Sequence, residues 1–448
     1  MEYESSRLFV ESLRETIPEV LIDDEDVIRS SNSDWTGKVQ GKACFLLRPS
    51  SPAQLELILI LANRFKTPIH LQGGNTSLVG GATPVRSDFI LTTSRLKRIS
   101  HFDSQLGRIT CEAGVTLSEL GRYLEGTGFH FGVDLASRDS ATVGGMISTN
   151  AGGIHFIRNG GFRDQVLSLD LVTPAFGLVA ASSRLPKDNT GIDVGRIAIG
   201  AEGTVGVVTC ATLRLIPDSA SSVTVLVGVD TFSDALDTLQ SARQFATLSA
   251  AEFFTYDGAV LVARALSSNA PFAARFYLLF QFDGSSSLES DLSSLFSDLE
   301  FDVAVASDSS SAKRLWALRE HHTIAISSLG KVDKYDVSFD LSQVEEFWER
   351  AKKRLEALDG SVRAYIFGHL GDGNIHLNVV STCPSEQIDD AIIDLTIELG
   401  GSISAEHGIG TLKRGYLSKV KNDAQLQAMR AVKSIFDPNG ILNPGVIF

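Results

Sequence analysis

Three runs of small residues limit what this chain can build: QGGNTSLVGG (72–81), ATVGGMISTNAGG (141–153) and IGAEGTVGVVTCATLRLIP (199–217). Each allows backbone to approach backbone, or a flat ligand, closely. The first follows a strand-like segment and contains no lysine, so it is not the G-x-x-x-x-G-K-[ST] phosphate loop. The pattern G-x-G-x-x-G occurs nowhere in the chain. Converging N–H groups, with the Thr76 and Ser77 hydroxyls beside them, suit an anion such as a pyrophosphate. A flexible glycine turn explains the first run alone equally well. Three such loops in one part of the chain are more than turns require.

Around these loops the pattern FLLRPSSPAQLELILILANRFKTPIHLQGG gives strand, turn, helix and strand, and alternation of this kind continues to Pro217. Beyond it, SSVTVLVGVDTFSDALDTLQSARQFA and RFYLLFQFDGSSSLESDLSSLFSDLE each read as a strand followed by a helix. That texture predicts an α+β domain, an antiparallel sheet covered by helices. The expected divisions are 1–217, 218–400 and a C-terminal segment, 401–448, that completes the active site. Residues 1–30 read as an amphipathic helix and an acidic stretch, Asp23 to Asp26, forming a solvated cap.

A net charge of -14 without a Lys/Arg block argues against nucleic acid or an anionic membrane surface as the main partner. The four cysteines form no C-x-x-C pair, which fits a reducing compartment. No apolar run approaches the roughly 18 residues of a membrane span. The acidic N-terminus resembles neither a secretory signal nor an Arg-rich transit peptide, so a cytoplasmic location is expected.

GHLGDGNIH (368–376) places a histidine on either side of Asp372-Gly373. With those two as the centre of a type I′ turn, residue 371 faces 374, 370 faces 375 and His369 faces His376. Directly opposed Cβ atoms lie about 4.5–5.5 Å apart, near enough for two imidazoles to share one ion. Strand alternation puts Asn378 on the face of His376. SAEHGIG (404–410) offers Glu406 and His407 as a further ligand. The alternative is a hydrogen-bonded surface pair of histidines, or, with a metal, a zinc hydrolase. In LWALREHHT, Arg319 and Thr323 are four apart and share one helical face. In KVDKYDVSF, Lys334 is out of phase with Tyr335, Val337 and Phe339, so one strand face is core and the other can carry a cation.

The glycine-rich runs in their order and spacing resemble the FAD-binding domain of the vanillyl-alcohol oxidase/p-cresol methylhydroxylase flavoproteins. YIFGHLGDGNIHLNV, SISAEHGIG and FDPNGILNPG, with LWALRE, KYDVSF and PKDNTGID (186–193), resemble the D-2-hydroxyacid dehydrogenases of that family. The resemblance implies a two-part FAD-binding domain, an α+β cap domain and a C-terminal helical segment. It assigns FAD to Gln72, Gly73, Gly74, Asn75, Thr76, Ser77, Ser137, Ser140, Thr142, Gly145, Asn150, Glu202, Val207, Val208 and Asn443, held non-covalently because the first loop has no histidine. Met146 stands where relatives usually have asparagine, and Val446 near a position where lysine is common.

The same resemblance implies a divalent metal, usually zinc, on His369, His376 and Glu406. It places Arg319, Thr323, Lys334, Asn378 and His407 on the substrate. The implied reaction oxidises a D-2-hydroxyacid, D-2-hydroxyglutarate first and D-lactate or glycolate as the alternative, with His407 taking the hydroxyl proton and hydride passing to flavin N5. A separate electron acceptor, such as an electron-transfer flavoprotein or a quinone, and a second copy of the chain in a homodimer are the partners expected. A flavoprotein subunit without catalysis would bind FAD and turn over no hydroxyacid.

Overall fold

The computed structural model describes residues 2–448 except 182, 183, 186, 246, 286, 291 and 293–299. The helix expected over SSSLESDLSSLFSDLE lies in part outside the described residues. The chain forms two compact units: residues 1–153, 160–218 and 406–448 make the first, and 154–159 with 219–405 the second. Among the described residues no helix is long and apolar enough to cross a membrane.

The first unit is built on two sheets. One contains β1 (Leu21–Ile22), β2 (Phe45–Leu47), β3 (Ile69–Gln72) and β4 (Phe89–Thr92) in the order β1-β2-β4-β3, with β4 parallel to both β2 and β3. Strands running the same way need a long crossover, and the helix Pro52–Phe65 supplies it between β2 and β3. Ser51 caps that helix by accepting the Gln54 N–H, and Pro52 occupies the first turn, where no N–H is needed. Its buried Leu55, Ile58, Leu59 and Ala62 face the sheet core.

The N-terminal segment departs from the solvated cap expected of it. Phe9, Val10, Leu13 and Ile17 recur at helical spacing along and just past the helix Glu2–Thr16, and all are buried in that core, Phe9 edge-on to Phe89 at 5.0 Å. The acidic stretch does local work: the Asp24 carboxylate accepts the N–H groups of Asp26 and Val27 and so starts the helix Glu25–Arg29.

The second sheet comprises β5 (Ile99–Asp103), β6 (Arg108–Glu112), β7 (Phe129–Phe131), β8 (Val166–Thr173), β9 (Gly177–Val179) and β10 (Val207–Pro217), in the order β5-β6-β10-β8-β9 with β7 also on β10. All its pairs are antiparallel. Residues 406–448 return to this unit. There the Ile69 N–H donates to the Ile441 carbonyl at 2.8 Å, and Ile441 and Leu442 enter the first core. Val446 is buried against Leu417, Leu426 and Ile447.

The other unit is one seven-stranded antiparallel sheet of β11 (Ser221–Val229), β12 (Leu248–Thr255), β13 (Phe276–Gly284), β14 (Val303–Ala306), β15 (Val332–Ser338), β16 (Arg363–His369) and β17 (Asn374–Val380), ordered β14-β11-β13-β12-β16-β17-β15. Alternation along β12 and β16 sends Phe253 and Ile366 to one face, where they meet Phe232, Val344 and Trp348 of the helices Phe232–Ala242 and Val344–Leu358. Phe254 and Phe367 point to the other face. They pack there with Val262, Trp316, Leu318 and Ile326 from the helices Tyr256–Ala265, Ser309–Glu320 and His322–Ser327.

Candidate active-site residues

In the first unit the glycine runs close on one another. A β-carbon on Gly73 would sit 2.5 Å from the Thr142 hydroxyl, and one on Gly74 would sit 1.8 Å from the Ser140 carbonyl oxygen. The loop after β3 and the 137–142 turn are therefore packed backbone to backbone. The turn is fixed by the Ser137 carbonyl, which accepts from Ser140 and Ala141, and Thr142 then caps the helix Val143–Thr149 by accepting the Gly145 N–H. Asn75 and Asn150 both adopt positive φ, and Asn tolerates it better than most residues. Asn75 donates to the Ser33 carbonyl at 2.9 Å, and Gln72 to the carbonyls of Ser31 and Ala82. The Ser77 hydroxyl accepts the N–H groups of Val79 and Gly81.

Asn443 ties this region together. Its carbonyl oxygen accepts the Leu71 N–H and its amide donates to the Glu202 carbonyl, both at 2.6 Å. The Glu202 carboxylate accepts from Ile409 and Gly410, and burial pushes its acidity toward the protonated form despite those bonds. Val207 and Val208 are buried in the β10–β8 pair. Met146 lies in the apolar core of the second sheet.

This region fits FAD on two counts. Its loops approach as only glycine permits, and Asn75 Oδ1 is a buried acceptor with no partner among the described residues. Glu406 and His407 open the returning segment, and Glu406 accepts the Gly153 N–H at 3.0 Å.

In the second unit, β12, β16, β17 and β15 place a polar stripe on one sheet face. Lys334 pairs with Asn378 and Asp336 with His376, while Phe367 is opposite His376 and Glu252 opposite His369. The hairpin differs from the two-residue turn expected. His369 pairs with Asn374, so four residues, 370–373, form the loop, and His376 is diagonal to His369 rather than opposite it. A type I′ turn needs positive φ at both central residues, and only Gly373 has it, at 77°. The His369 carbonyl instead accepts the N–H of Gly373, and the Asp372 carboxylate accepts that of Asn374. Residues on one face still meet diagonally: the two Nε2 atoms are 3.2 Å apart.

Two acidic residues that the sequence reading passed over organise the pair. Fully buried Glu252 accepts from His369 Nδ1 at 2.6 Å and binds Arg319 Nη2 at 2.7 Å. Burial would raise its pKa, but the adjoining His369 and Arg319 side chains outweigh burial and hold the carboxyl below its usual range. Asp336 Oδ1 lies 3.6 Å from His376 Nδ1. The ligand set fits a divalent cation by its chemistry. With the His369 proton on Nδ1, its Nε2 is a lone pair, and a neutral His376 has a single proton for two acceptors. The two facing Nε2 atoms are nitrogen donors that a divalent cation could share.

Arg319 and Thr323 do not share one helix. The helix Ser309–Glu320 stops at His321, and the rings of His321 and His322 bond the carbonyls of Ala317 and Arg319 at 3.0 and 3.1 Å. Arg319 is buried at the helix end, its guanidinium 4.7 Å from the Phe367 ring centre, and its Nε is a buried donor without a partner among the described residues.

Both units match domain models of FAD-dependent oxidases, which makes the chain a flavin-dependent oxidoreductase. Residues 44–181 match an FAD binding domain, and residues 219–447 match the FAD linked oxidases, C-terminal domain. The D-2-hydroxyglutarate dehydrogenase of Danio rerio is 36% identical over 96% of this chain and 83% of its own length. That of Bos taurus is 36% identical over 97% and 82%. A D-2-hydroxyglutarate–pyruvate transhydrogenase of Saccharomyces cerevisiae is 34% identical over 93% and 89%.

Among solved structures, p-cresol methylhydroxylase superposes with a TM-score of 0.79 at 15% identity, covering 99% of this chain and 96% of that one. Alkyldihydroxyacetonephosphate synthase superposes with a TM-score of 0.76 at 18% identity, over 98% and 84%. The chain belongs to the FAD-linked oxidase family, as an FAD-dependent D-2-hydroxyacid dehydrogenase. The cytoplasmic location expected from the N-terminal residues is overturned, since the Danio rerio and Bos taurus relatives are named mitochondrial.

Proposed function

We propose that this dehydrogenase oxidises D-2-hydroxyglutarate to 2-oxoglutarate, with FAD on the 72–77, 137–150 and 202–208 segments and a divalent ion on His369, His376 and Glu406. The 3.2 Å approach of the two histidine Nε2 atoms, each ring backed by a carboxylate, is the observation that carries the reading. Imidazole nitrogens with one carboxylate suit zinc. Bound FAD supplies the hydride acceptor at N5, and the ion supplies Lewis acidity.

The chain's own residues bind and orient the substrate. The Arg319 Nε–H, which has no partner among the described residues, suits a substrate carboxylate, and Arg319 presents it from a buried position beside Glu252. Thr323, Lys334 and Asn378 complete the binding groups, with Lys334 and Asn378 directly paired across β15 and β17. His407 takes the proton of the C2 hydroxyl. Electrons leave to a separate acceptor, an electron-transfer flavoprotein or a quinone.

Anaerobic mixing with D- and L-2-hydroxyacids, following flavin absorbance, tests this reading. D-2-hydroxyglutarate is expected to bleach the flavin fastest, and prior chelation to prevent bleaching while FAD stays bound. A colourless protein, or bleaching indifferent to chelation, would remove the reading.

A further inference from the structure

The proposed substrate and metal residues do not account for Glu252. It is the one acidic residue of β12, LSAAEFFT, in a strand otherwise apolar or small at its buried positions. A carboxylate with no exposed surface persists only where its charge is balanced and its oxygens are bonded. Here Oε1 accepts the His369 Nδ1 proton at 2.6 Å, and Oε2 forms an ion pair with Arg319 Nη2 at 2.7 Å. One side chain thus touches the proposed metal ligand and the proposed carboxylate clamp at once.

We propose that Glu252 is the positioning residue of this active site, which fixes His369 in the Nδ1-protonated tautomer and holds the Arg319 guanidinium against Phe367. The inference rests on the reading of His369 as a ligand for its consequence, and on the observed contacts for its geometry. A ligating histidine must offer one nitrogen as a lone pair, and the group bonded to the other nitrogen decides which one that is. With Glu252 on Nδ1, the lone pair is on Nε2, the nitrogen directed at His376. Arg319 explains why the acid is ionised in so dry a place: its charge, stacked 4.7 Å from the Phe367 ring centre, balances the carboxylate. Beneath it His322, buried and held neutral with its pKa lowered to about 3 by burial and by the Arg319 charge, packs 4.9 Å from Phe367 and 5.1 Å from Phe254.

Glu252→Gln keeps the volume and halves the acceptor capacity. An amide has one carbonyl oxygen, and two donors, His369 Nδ1–H and an Arg319 N–H, compete for it. The amide NH₂ then faces either the arginine or the histidine, and in the second case the imidazole proton moves to Nε2. The test has two readouts in the FAD-loaded chain freed of metal. The first is the His369 tautomer from ¹⁵N-edited imidazole spectra, assigned by loss of the signal in His369→Gln. The second is the affinity for added Zn²⁺.

Wild type is expected to hold the Nδ1–H form. Glu252→Gln is expected to mix the tautomers and weaken Zn²⁺ about 10- to 100-fold, the range for lost outer partners of ligating histidines, with FAD content unchanged. An unchanged tautomer and affinity in a folded Glu252→Gln would overturn the proposal. If wild type binds no Zn²⁺ but its tautomer still depends on Glu252, the metal reading fails and the positioning role stands. Should Glu252→Gln not fold, the wild-type spectrum decides alone, and an Nε2-protonated His369 refutes the assignment.

Discussion

Gly74 rests against Ser140 so closely that a β-carbon would lie 1.8 Å from the Ser140 carbonyl oxygen, and the obstacle is backbone, which cannot swing aside. Gly74→Ala must therefore part the loop after β3 from the 137–142 turn. We expect this variant to fold and to lose most of its FAD, read as the ratio of flavin to protein absorbance after gel filtration. Full FAD content in folded Gly74→Ala would mean that the two loops do not cradle the cofactor.

His369→Ala and His376→Ala act elsewhere. Both side chains stand on the antiparallel sheet of the second unit, whereas the glycine loops belong to the first. Each variant is expected to lose Zn²⁺, measured by elemental analysis, and flavin bleaching by D-2-hydroxyglutarate, while keeping its yellow colour. A variant that retains metal and sheds FAD would reverse that division of labour.

How much of this was legible depends on how local each feature is. The glycine loops could be read because close approach leaves a mark in the residues themselves: nothing larger fits at Gly73 or Gly74. Lys334 and Asn378 could be placed on strand faces because alternation is fixed by the backbone. The hairpin register could not, since Asp372-Gly373 suits a two-residue turn as well as the four-residue loop found, and the Asp372 and His369 backbone bonds decide between them. The break at His321 has no glycine or proline to announce it; two histidine rings competing for helix carbonyls produce it. Glu252 was hardest to see, because its partners Arg319 and His369 come from distant parts of the chain. An isolated acid in a buried apolar strand was the only available sign.

Acid should weaken the first unit through His70. The ring is fully buried on β3 beneath the first glycine loop, where Nε2 donates to the Gly81 carbonyl at 3.1 Å. Burial lowers its pKa from 6.5 to about 4, against a smaller upward pull from that carbonyl. The folded form thus binds fewer protons than the unfolded chain between these values. Its contribution is complete above pH 6.5, declines as pH falls toward 4 and is gone below it, a loss on the order of 3 kcal/mol. His70→Gln keeps a donor for Gly81 and has no proton to gain. Denaturant midpoints between pH 7 and 4 should fall less steeply in His70→Gln than in wild type, and parallel curves would exclude His70 as the source.

The remote carboxylate of D-2-hydroxyglutarate separates the two cations. Arg319 Nη2 is bound to Glu252, and its buried Nε faces no protein acceptor among the described residues. Lys334 is half-buried, paired with Asn378 across β15 and β17. A cation meeting a desolvated carboxylate contributes roughly 1.5–3 kcal/mol, so the loss of whichever one holds the distal group should lower kcat/KM for D-2-hydroxyglutarate about 10- to 150-fold. D-lactate has no such group, and its weaker turnover should change little in that variant. We expect this pattern from Lys334→Met. Arg319→Met should instead depress both substrates, because removing it also leaves the Glu252 carboxylate without its buried counter-charge and disturbs His369. Equal losses on both substrates in Lys334→Met would put Lys334 at the C1 end or in the fold, and selective loss on D-2-hydroxyglutarate in Arg319→Met would give the distal carboxylate to the arginine.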